Sequence, residues 1–232
     1  RLMIFDSKKD LKRNLNNKEY KFVSKELQKR SIVKISVLEQ LKFVVLLDLK
    51  SQESNRKLGA EIFETMPDQF SIFDLSSNSK EIICFLEGMM LKDYTFQKYK
   101  SKTKHKLKYV ELVSSNVTKN IINELNSLIK GVFQARDWVN EPVNKLTTDQ
   151  FIKEIKSLEN IGVTVEVLRK SKLVELNMGG IIGVNQGSFD EPAFVKSEWK
   201  PKKSKNQKPI VLIGKGVLFD TGGINIKTGD FM

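Results

Sequence analysis

The order of apolar and polar positions predicts two sheet-containing regions with a long helix between them. In residues 1–118, short apolar runs alternate with amphipathic stretches, which is typical of an α/β unit. We expect strands at residues 32–38, 41–49, 82–86 and 107–113, and a helix at residues 58–66. Strands that alternate with helices favour a largely parallel sheet.

After Thr118 the apolar spacing changes to three and four residues, which is the period of a helix. The apolar positions that follow this spacing are Ile121, Ile122, Leu125, Leu128, Ile129, Val132 and Phe133. We expect the helix to end near Pro142, because proline disfavours helical geometry in the residue before it. A long helix between two sheet-rich regions predicts a connector between two domains.

The remaining residues predict a second α/β unit. Thr147 or Thr148 is placed to cap a helix over residues 149–158. The pattern predicts a short helix at residues 171–177, broken by the Gly179-Gly180 pair. We expect strands at residues 163–168, 193–199 and 209–213. The lysine-rich segment between the last two strands predicts a hairpin with a solvated tip.

Composition restricts the class of protein. Hydrophobic residues make up 40% of the chain and charged residues 29%, as in a globular protein that buries a core. No apolar run approaches the roughly 20 residues of a membrane span, and the first residues become charged too soon for a signal peptide. The single cysteine, Cys84, lies in an apolar run and is predicted to be a core thiol. We therefore expect a cytoplasmic protein with no membrane partner.

The formal net charge of +12 admits a polyanionic partner. Two dense lysine clusters, at residues 98–108 and 200–208, suggest a basic binding module for nucleic acid or a nucleotide. Neither cluster interleaves aromatic side chains as a nucleic-acid stacking surface does. Lysines spread over solvated faces would give the same charge, so both interpretations stay open.

The densest concentration of chemically useful residues lies in residues 214–227, directly after the apolar run at residues 210–213. This segment places Lys215, Asp220 and Lys227 among four glycines. Open α/β sheets carry their ligand sites at such strand ends. We therefore treat these three side chains as the candidate site.

Several familiar sites are excluded. A phosphate-binding loop needs a glycine and a hydroxyl residue where Pro209 and Gly216 stand, and a dinucleotide fingerprint needs a glycine where Phe219 stands. An aspartic protease needs two carboxylates that share a proton, whereas Asp220 supplies one. Because His105 is the only histidine, a metal site would depend mainly on oxygen and amine ligands.

A metal site would use the lysines and the aspartate together. Lys215 and Asp220 are five positions apart, so a straight strand would separate them by about 17 Å and point them to opposite faces. The chain must therefore turn between them, which Gly216 permits. A lysine coordinates a metal only as the neutral amine, and a neighbouring dication stabilises that form. Lys227 could then stay protonated and stabilise an oxyanion.

The chain resembles the leucyl aminopeptidases, also called cytosol aminopeptidases. Residues 214–227 are similar to the family's Gly-Lys-Gly-x-x-Phe-Asp-[Ser/Thr]-Gly-Gly-x-x-x-Lys signature. Ala-Arg-Asp-Trp-Val-Asn-Glu-Pro-Val-Asn at residues 135–144 and Met-Gly-Gly-Ile-Ile-Gly-Val-Asn-Gln-Gly-Ser at residues 178–188 resemble two further family segments. Leu-Glu-Gly at residues 86–88 is similar to part of its N-terminal domain. The resemblance therefore covers the chain from about residue 85 onward.

The resemblance implies an α/β fold with two mixed α/β domains. These are an N-terminal macro-like domain at residues 1–118 and a truncated catalytic α/β/α domain at residues 143–232, joined by a long helix at residues 119–142. It further implies a metallo-aminopeptidase that hydrolyses N-terminal residues, commonly leucine, from peptides and assembles as a homohexamer.

The resemblance also implies roles for the three candidate residues. Lys215 would bind one of two divalent metal ions, Mn or Zn, Asp220 would bridge both ions, and Lys227 would be the catalytic electrophile. The family's other carboxylate ligands and its active-site arginine lie downstream of this pattern. Two ligands cannot fill two coordination shells. We therefore expect the 232-residue chain alone to be inactive and its half-built catalytic sheet to expose apolar surface.

Overall fold

A computed structural model describes residues 1–37, 40–77, 79–102, 108–204, 208–220 and 228–229. The chain divides into a first unit, residues 1–137, and a second unit, residues 138–232. Among the described residues, no helix has both the length and the apolar character needed to cross a membrane. The domain limits proposed at residues 118 and 142 stay predictions.

The first unit contains a five-stranded mixed sheet. Its strands are β1 (Leu2–Phe5), β2 (Ile32–Val37), β3 (Gln40–Leu46), β4 (Gln69–Asp74) and β5 (Tyr109–Val113). The strand order is β2-β3-β1-β4-β5. Strand β1 runs parallel to β3 and β4, and β5 runs parallel to β4, whereas β2 pairs antiparallel with β3. The predicted α/β fold with a largely parallel sheet is confirmed.

Helices cover both faces of this sheet. They are α1 (Lys8–Asn14), α2 (Asn17–Glu26), α3 (Gln52–Thr65), α4 (Ser79–Lys92) and α5 (Lys119–Asn140). Side chains alternate along β1, so that Leu2 and Ile4 enter the core shared with α3, α4 and α5. Phe5 enters a separate core with α1 and α2. The sheet therefore lies between two helical layers.

The predicted strand at residues 82–86 is wrong, because these residues belong to α4. Ile82, Phe85, Leu86 and Met89 are all buried and follow each other at helical spacing. Cys84 lies between them and is buried as well. A helix that is buried around most of its circumference shows a continuous apolar run, which periodicity alone does not distinguish from a buried strand.

The core position predicted for Cys84 is confirmed. The residue is 6% exposed, and burial raises the pKa of its thiol. The neutral thiol therefore behaves as a small apolar core group.

The other predicted elements of the first unit are confirmed, but they begin or end at different residues than predicted. The helix at residues 58–66 begins earlier, at Gln52, because the Ser51 hydroxyl accepts a hydrogen bond from the Ser54 amide at 3.1 Å and caps it. The strand at 41–49 ends at Leu46 and the one at 107–113 is described from Tyr109. Residues 38 and 107 lie outside the described residues. The long helix α5 is confirmed.

A capping box at the start of α2 gives the first unit a pH-dependent contribution to stability. The Glu19 carboxylate accepts a hydrogen bond from the Asn16 amide at 3.1 Å, and Lys42 Nζ donates to it at 3.1 Å. The Asn16 hydrogen bond is the largest cause that lowers the pKa of Glu19 below its ordinary value of 4.5, and Lys42 adds to it against the opposing effect of burial. This stabilisation is therefore present above pH 4.5 and is lost as the pH falls through the folded-state pKa.

We expect Glu19→Gln to remove this dependence while keeping the cap, because an amide oxygen can still accept from Asn16. The measurement is urea unfolding near pH 5 and near pH 3. The free energy of unfolding of the unsubstituted protein should fall more across this interval than that of the variant. Equal falls would show that Glu19 contributes no pH-dependent stability.

The second unit begins with the predicted helix α6 (Thr148–Lys156), which Thr147 caps by accepting a hydrogen bond from the Gln150 amide at 3.3 Å. A 3₁₀ turn, Ser157–Ile161, follows it. The later elements are β6 (Thr164–Arg169), α7 (Lys170–Glu175), α8 (Gly179–Asn185) and β7 (Ala193–Glu198). The double glycine thus begins a helix, whereas the sequence predicted only a break.

The predicted strand at residues 209–213 is wrong. Residues 208–213 are described and carry no strand, and β7 pairs antiparallel with β6. Ile210, Val211, Leu212 and Ile213 are between 71% and 93% exposed. A strand needs a hydrogen-bonded neighbour, and none of the described residues pairs with this run. The expectation of exposed apolar surface is confirmed for this segment.

Candidate functional site

The two described candidate residues, Lys215 and Asp220, lie in one exposed segment without regular secondary structure. Both side chains are accessible to solvent. Lys227, the third candidate, lies in residues 221–227, outside the described residues. The structure therefore places two of the three predicted side chains.

The chain turns between Lys215 and Asp220. The Val217 amide donates a hydrogen bond to the Lys215 carbonyl at 3.0 Å. This bond closes a three-residue γ-turn with Gly216 at its centre. The backbone between the two candidate residues is therefore not a straight strand.

The conformation of this turn does not itself require glycine. Among the described glycines, only Gly162 has a positive φ, so the turn at Gly216 is of the inverse type that other residues adopt. A Cβ added at Gly216 would lie 3.7 Å from Phe151 Cε1, which is ordinary van der Waals contact. The backbone of the segment thus passes beside the ring of Phe151.

One aromatic side chain, that of Phe151, lies beside the turn and packs on a second one. Phe151 belongs to α6, and its ring meets the ring of Trp138 edge to face, with centroids 5.1 Å apart and planes at 76°. Trp138 lies near the end of α5. Helix α6 therefore carries the aromatic side chain that lies closest to Gly216.

Asp190 and Glu191, which precede β7, accept hydrogen bonds from the first residues of helices α6 and α7. The Thr148 amide donates to Asp190 Oδ2 at 3.2 Å, and the Lys170 amide donates to Glu191 Oε1 at 3.1 Å. Asn185 Nδ2 donates to the Asp190 carbonyl at 2.9 Å. Carboxylates at the first turn of a helix satisfy its free amides and interact favourably with its dipole. Asp190 and Glu191 thus have a structural role in the second unit.

The end of α5 makes contacts of the same structural kind within the first unit. Arg136 Nη1 donates to the Leu91 carbonyl at 2.8 Å, and its guanidinium lies 5.4 Å from the centroid of the Tyr94 ring. The Tyr94 hydroxyl donates to Asp137 Oδ1 at 2.9 Å. These contacts hold α5 against the end of α4. They account for Arg136 and Asp137 without a catalytic role.

Comparison with known proteins assigns the segment that carries the candidate site. A profile of the cytosol aminopeptidase family, catalytic domain, matches residues 133–232. A probable cytosol aminopeptidase of Chelativorans sp. is 42% identical over 147 residues, which cover 60% of this chain and 30% of the relative. The chain is therefore similar to the cytosol aminopeptidases, most directly over residues 133–232.

Two solved structures share the fold of this chain. A tomato leucine aminopeptidase mutant superposes with a TM-score of 0.73 at 18% identity, covering 95% of this chain and 52% of its own. The bottromycin maturation enzyme BotP, in complex with Mn, superposes with a TM-score of 0.71 at 19% identity, covering 100% of this chain and 51% of its own. At these identities the likeness shows the fold alone. This chain spans about half the length of these two proteins.

The described residues supply only part of the donor set that a two-metal site would need. They contain no group of three or more histidine, cysteine, aspartate or glutamate side chains that could hold a metal ion. Lys215 and Asp220 supply one amine and one carboxylate. Carboxylate oxygens suit Mn and Zn, but two donors cannot complete two coordination shells. The described residues therefore fit only part of such a site, and their arrangement alone accounts for no catalytic step.

Proposed function

We propose that the full-length protein is a metallo-aminopeptidase that hydrolyses N-terminal residues, with leucine commonly favoured, from peptides. The observation that carries this proposal is the match of residues 133–232 to the catalytic domain of the cytosol aminopeptidases. The matched range includes Lys215, Asp220 and Lys227. The relative at 42% identity supports the same activity.

The proposed site holds two divalent ions, Mn or Zn, which when bound would acidify the attacking water and polarise the substrate carbonyl. Lys215 would bind one ion as its neutral amine, and Asp220 would bridge both. The turn at Gly216 supports this pairing, because a straight strand would point the two side chains to opposite faces. Lys227 would stay protonated and stabilise the oxyanion that develops on the substrate.

We further propose that the 232-residue chain alone is inactive. The support is the incomplete donor set of the residues that the structure describes, together with the chain's span of 30% of the curated relative and about half of the two solved structures. The family resemblance also supports assembly of the full-length protein as a homohexamer and a cytoplasmic location. These assignments describe the whole protein and depend on the same family match.

The test compares the full-length protein with the 232-residue chain, using leucine p-nitroanilide with added Mn²⁺. We expect turnover by the full-length protein and none by the shorter chain. An aminopeptidase must recognise a free amine, so a peptide with an acetylated N-terminus should resist hydrolysis. Cleavage of the acetylated peptide would contradict an aminopeptidase, and turnover by the shorter chain would contradict its proposed inactivity.

A further inference from the structure

Half of the net charge of the chain lies on α1, α2 and the turn that follows them. Residues 8–30 contain nine lysines and arginines and three acidic residues, a net charge of +6 against +12 for the whole chain. Both helices lie over the same face of the sheet of the first unit. This concentration is separate from the lysine clusters at residues 98–108 and 200–208, parts of which lie outside the described residues.

The acidic residues of this region are already engaged. Glu19 is buried and accepts hydrogen bonds from Asn16 and Lys42. Glu26 forms an ion pair with Arg30, and Asp10 Oδ1 lies 3.9 Å from Arg13 Nη1. The exposed lysines of the region are Lys8, Lys9, Lys12, Lys18, Lys21, Lys25 and Lys29. The outward charge of these two helices is therefore strongly positive.

Helix α2 arranges these cations as one face around an exposed aromatic ring. Lys18, Lys21, Phe22 and Lys25 recur at three- and four-residue spacing, so they lie on the same side of the helix. Phe22 is 49% exposed. The opposite side carries Val23, which is buried against the sheet. We name Lys18, Lys21, Phe22 and Lys25 the basic face.

This combination distinguishes between two polyanionic partners. Cations at intervals of about 5–6 Å along a helix can neutralise successive phosphates, and an exposed aromatic ring next to them offers a stacking platform for an unpaired base. An amphipathic helix that enters a membrane needs a free apolar side. The apolar side of α2 packs into the core with Leu11 and Val23, which leaves Phe22 alone for insertion. The face therefore fits a nucleic-acid strand better than a membrane.

We propose that the basic face binds the sugar-phosphate backbone of single-stranded nucleic acid, with Phe22 stacking on an unpaired base. Binding of this kind does not depend on base sequence. The proposal stands apart from the peptidase site, because every residue of the basic face belongs to the first unit.

The test is the affinity of the full-length protein for a fluorescein-labelled oligothymidine of about 16 nucleotides, measured by anisotropy across a salt series. The triple variant Lys18→Ala, Lys21→Ala, Lys25→Ala should bind roughly 100-fold more weakly near 0.1 M salt. It should also lower the slope of log K against log salt by about 2, because each phosphate contact on a single strand contributes about 0.7. Phe22→Ala should weaken binding about tenfold and leave the slope unchanged.

The matched control removes the same charge from the opposite side of the sheet. Lys57, Lys119 and Lys130 are exposed lysines of α3 and α5, and their replacement by alanine should change affinity less than twofold. Equal weakening by the two triple variants would show attraction by net charge alone and would overturn the proposal. No binding of the oligothymidine by the unsubstituted protein would also overturn it.

Two further probes separate the other partners. A DNA duplex of equal length should bind more weakly than oligothymidine and should be insensitive to Phe22→Ala. Duplex binding that is at least as tight would overturn the assignment to single strands.

Vesicles of phosphatidylserine and phosphatidylcholine should not compete with oligothymidine for the basic face. Tight vesicle binding that requires Phe22 would assign the face to a membrane surface instead. Hydrolysis of leucine p-nitroanilide should be the same for all these variants.

Discussion

Gly88→Ala should destabilise the first unit by about 3 kcal/mol or more, because no space exists for the added methyl group. A Cβ at Gly88 would lie 1.9 Å from the carbonyl oxygen of Arg56 on α3. The reciprocal contact is equally close, since a Cβ at Gly59 would lie 2.1 Å from the carbonyl oxygen of Phe85 on α4. Backbone atoms within helices cannot rotate aside, so the two helices would have to separate.

That separation would open the larger core of the first unit. Helices α3 and α4 contribute Ile62 and Phe85, which are fully buried against β1. Urea or thermal unfolding of the full-length protein, followed by a probe in the first unit, gives the measurement. We expect the melting temperature of that transition to fall by about 10 °C or more.

Gly131→Ala is the matched control for this prediction. Gly131 lies within α5, is exposed, and an added Cβ would meet nothing within 4 Å. Alanine should therefore stabilise the helix by about 0.5–1 kcal/mol, because glycine lowers helix propensity. If Gly88→Ala melted at the same temperature as Gly131→Ala, the close packing of α3 on α4 would be wrong.

Asp220→Ala and Lys215→Ala, each in the full-length protein, should lower kcat/KM for leucine p-nitroanilide by at least about 10²–10³-fold. Each change removes a side chain that the proposed site needs to hold its metal ions. The reaction would then lose both the acidified water and the polarised carbonyl. Because both side chains are exposed in the described segment, each variant should keep the far-ultraviolet circular dichroism spectrum of the unsubstituted protein.

Lys202→Ala is the matched control, since Lys202 is an exposed lysine in the loop after β7 and lies outside the motif. Its kcat/KM should stay within about twofold of the unsubstituted protein. Loss of activity in Lys202→Ala to the same degree would indicate a general dependence on charge. Retained activity in Asp220→Ala would remove that residue from the site.

The sequence predicted the elements whose patterns are locally distinctive. The long helix α5 was predicted because its apolar residues keep helical spacing from Ile121 to Phe133, and α6 because Thr147 is a cap residue before an amphipathic stretch. Helix α4 was predicted as a strand because residues 82–86 form a continuous apolar run. A helix that is buried around most of its circumference shows the same run. The strand at residues 209–213 was predicted from its apolar run alone, although pairing depends on a neighbour that no local pattern reveals.

The candidate site could likewise be predicted only in part from the sequence. The turn between Lys215 and Asp220 was predicted from their residue types and spacing, whereas their role in a metal site stays a prediction. The packing of Gly216 beside Phe151 could not be predicted, because it joins residues far apart in the chain. The basic face was missed because its lysines are three and four positions apart rather than consecutive. A helical projection of residues 17–26 would have shown them on one side together with Phe22.

The central claim is that residues 214–227 form the metal-binding part of an aminopeptidase, and metal content tests it most directly. The full-length protein and its Asp220→Ala variant would be dialysed against Mn²⁺ or Zn²⁺ and analysed by plasma mass spectrometry. We predict about two ions for each chain of the unsubstituted protein, and loss of at least one in the variant. A full-length protein without metal, or a variant with the same metal content as its parent, would contradict the claim.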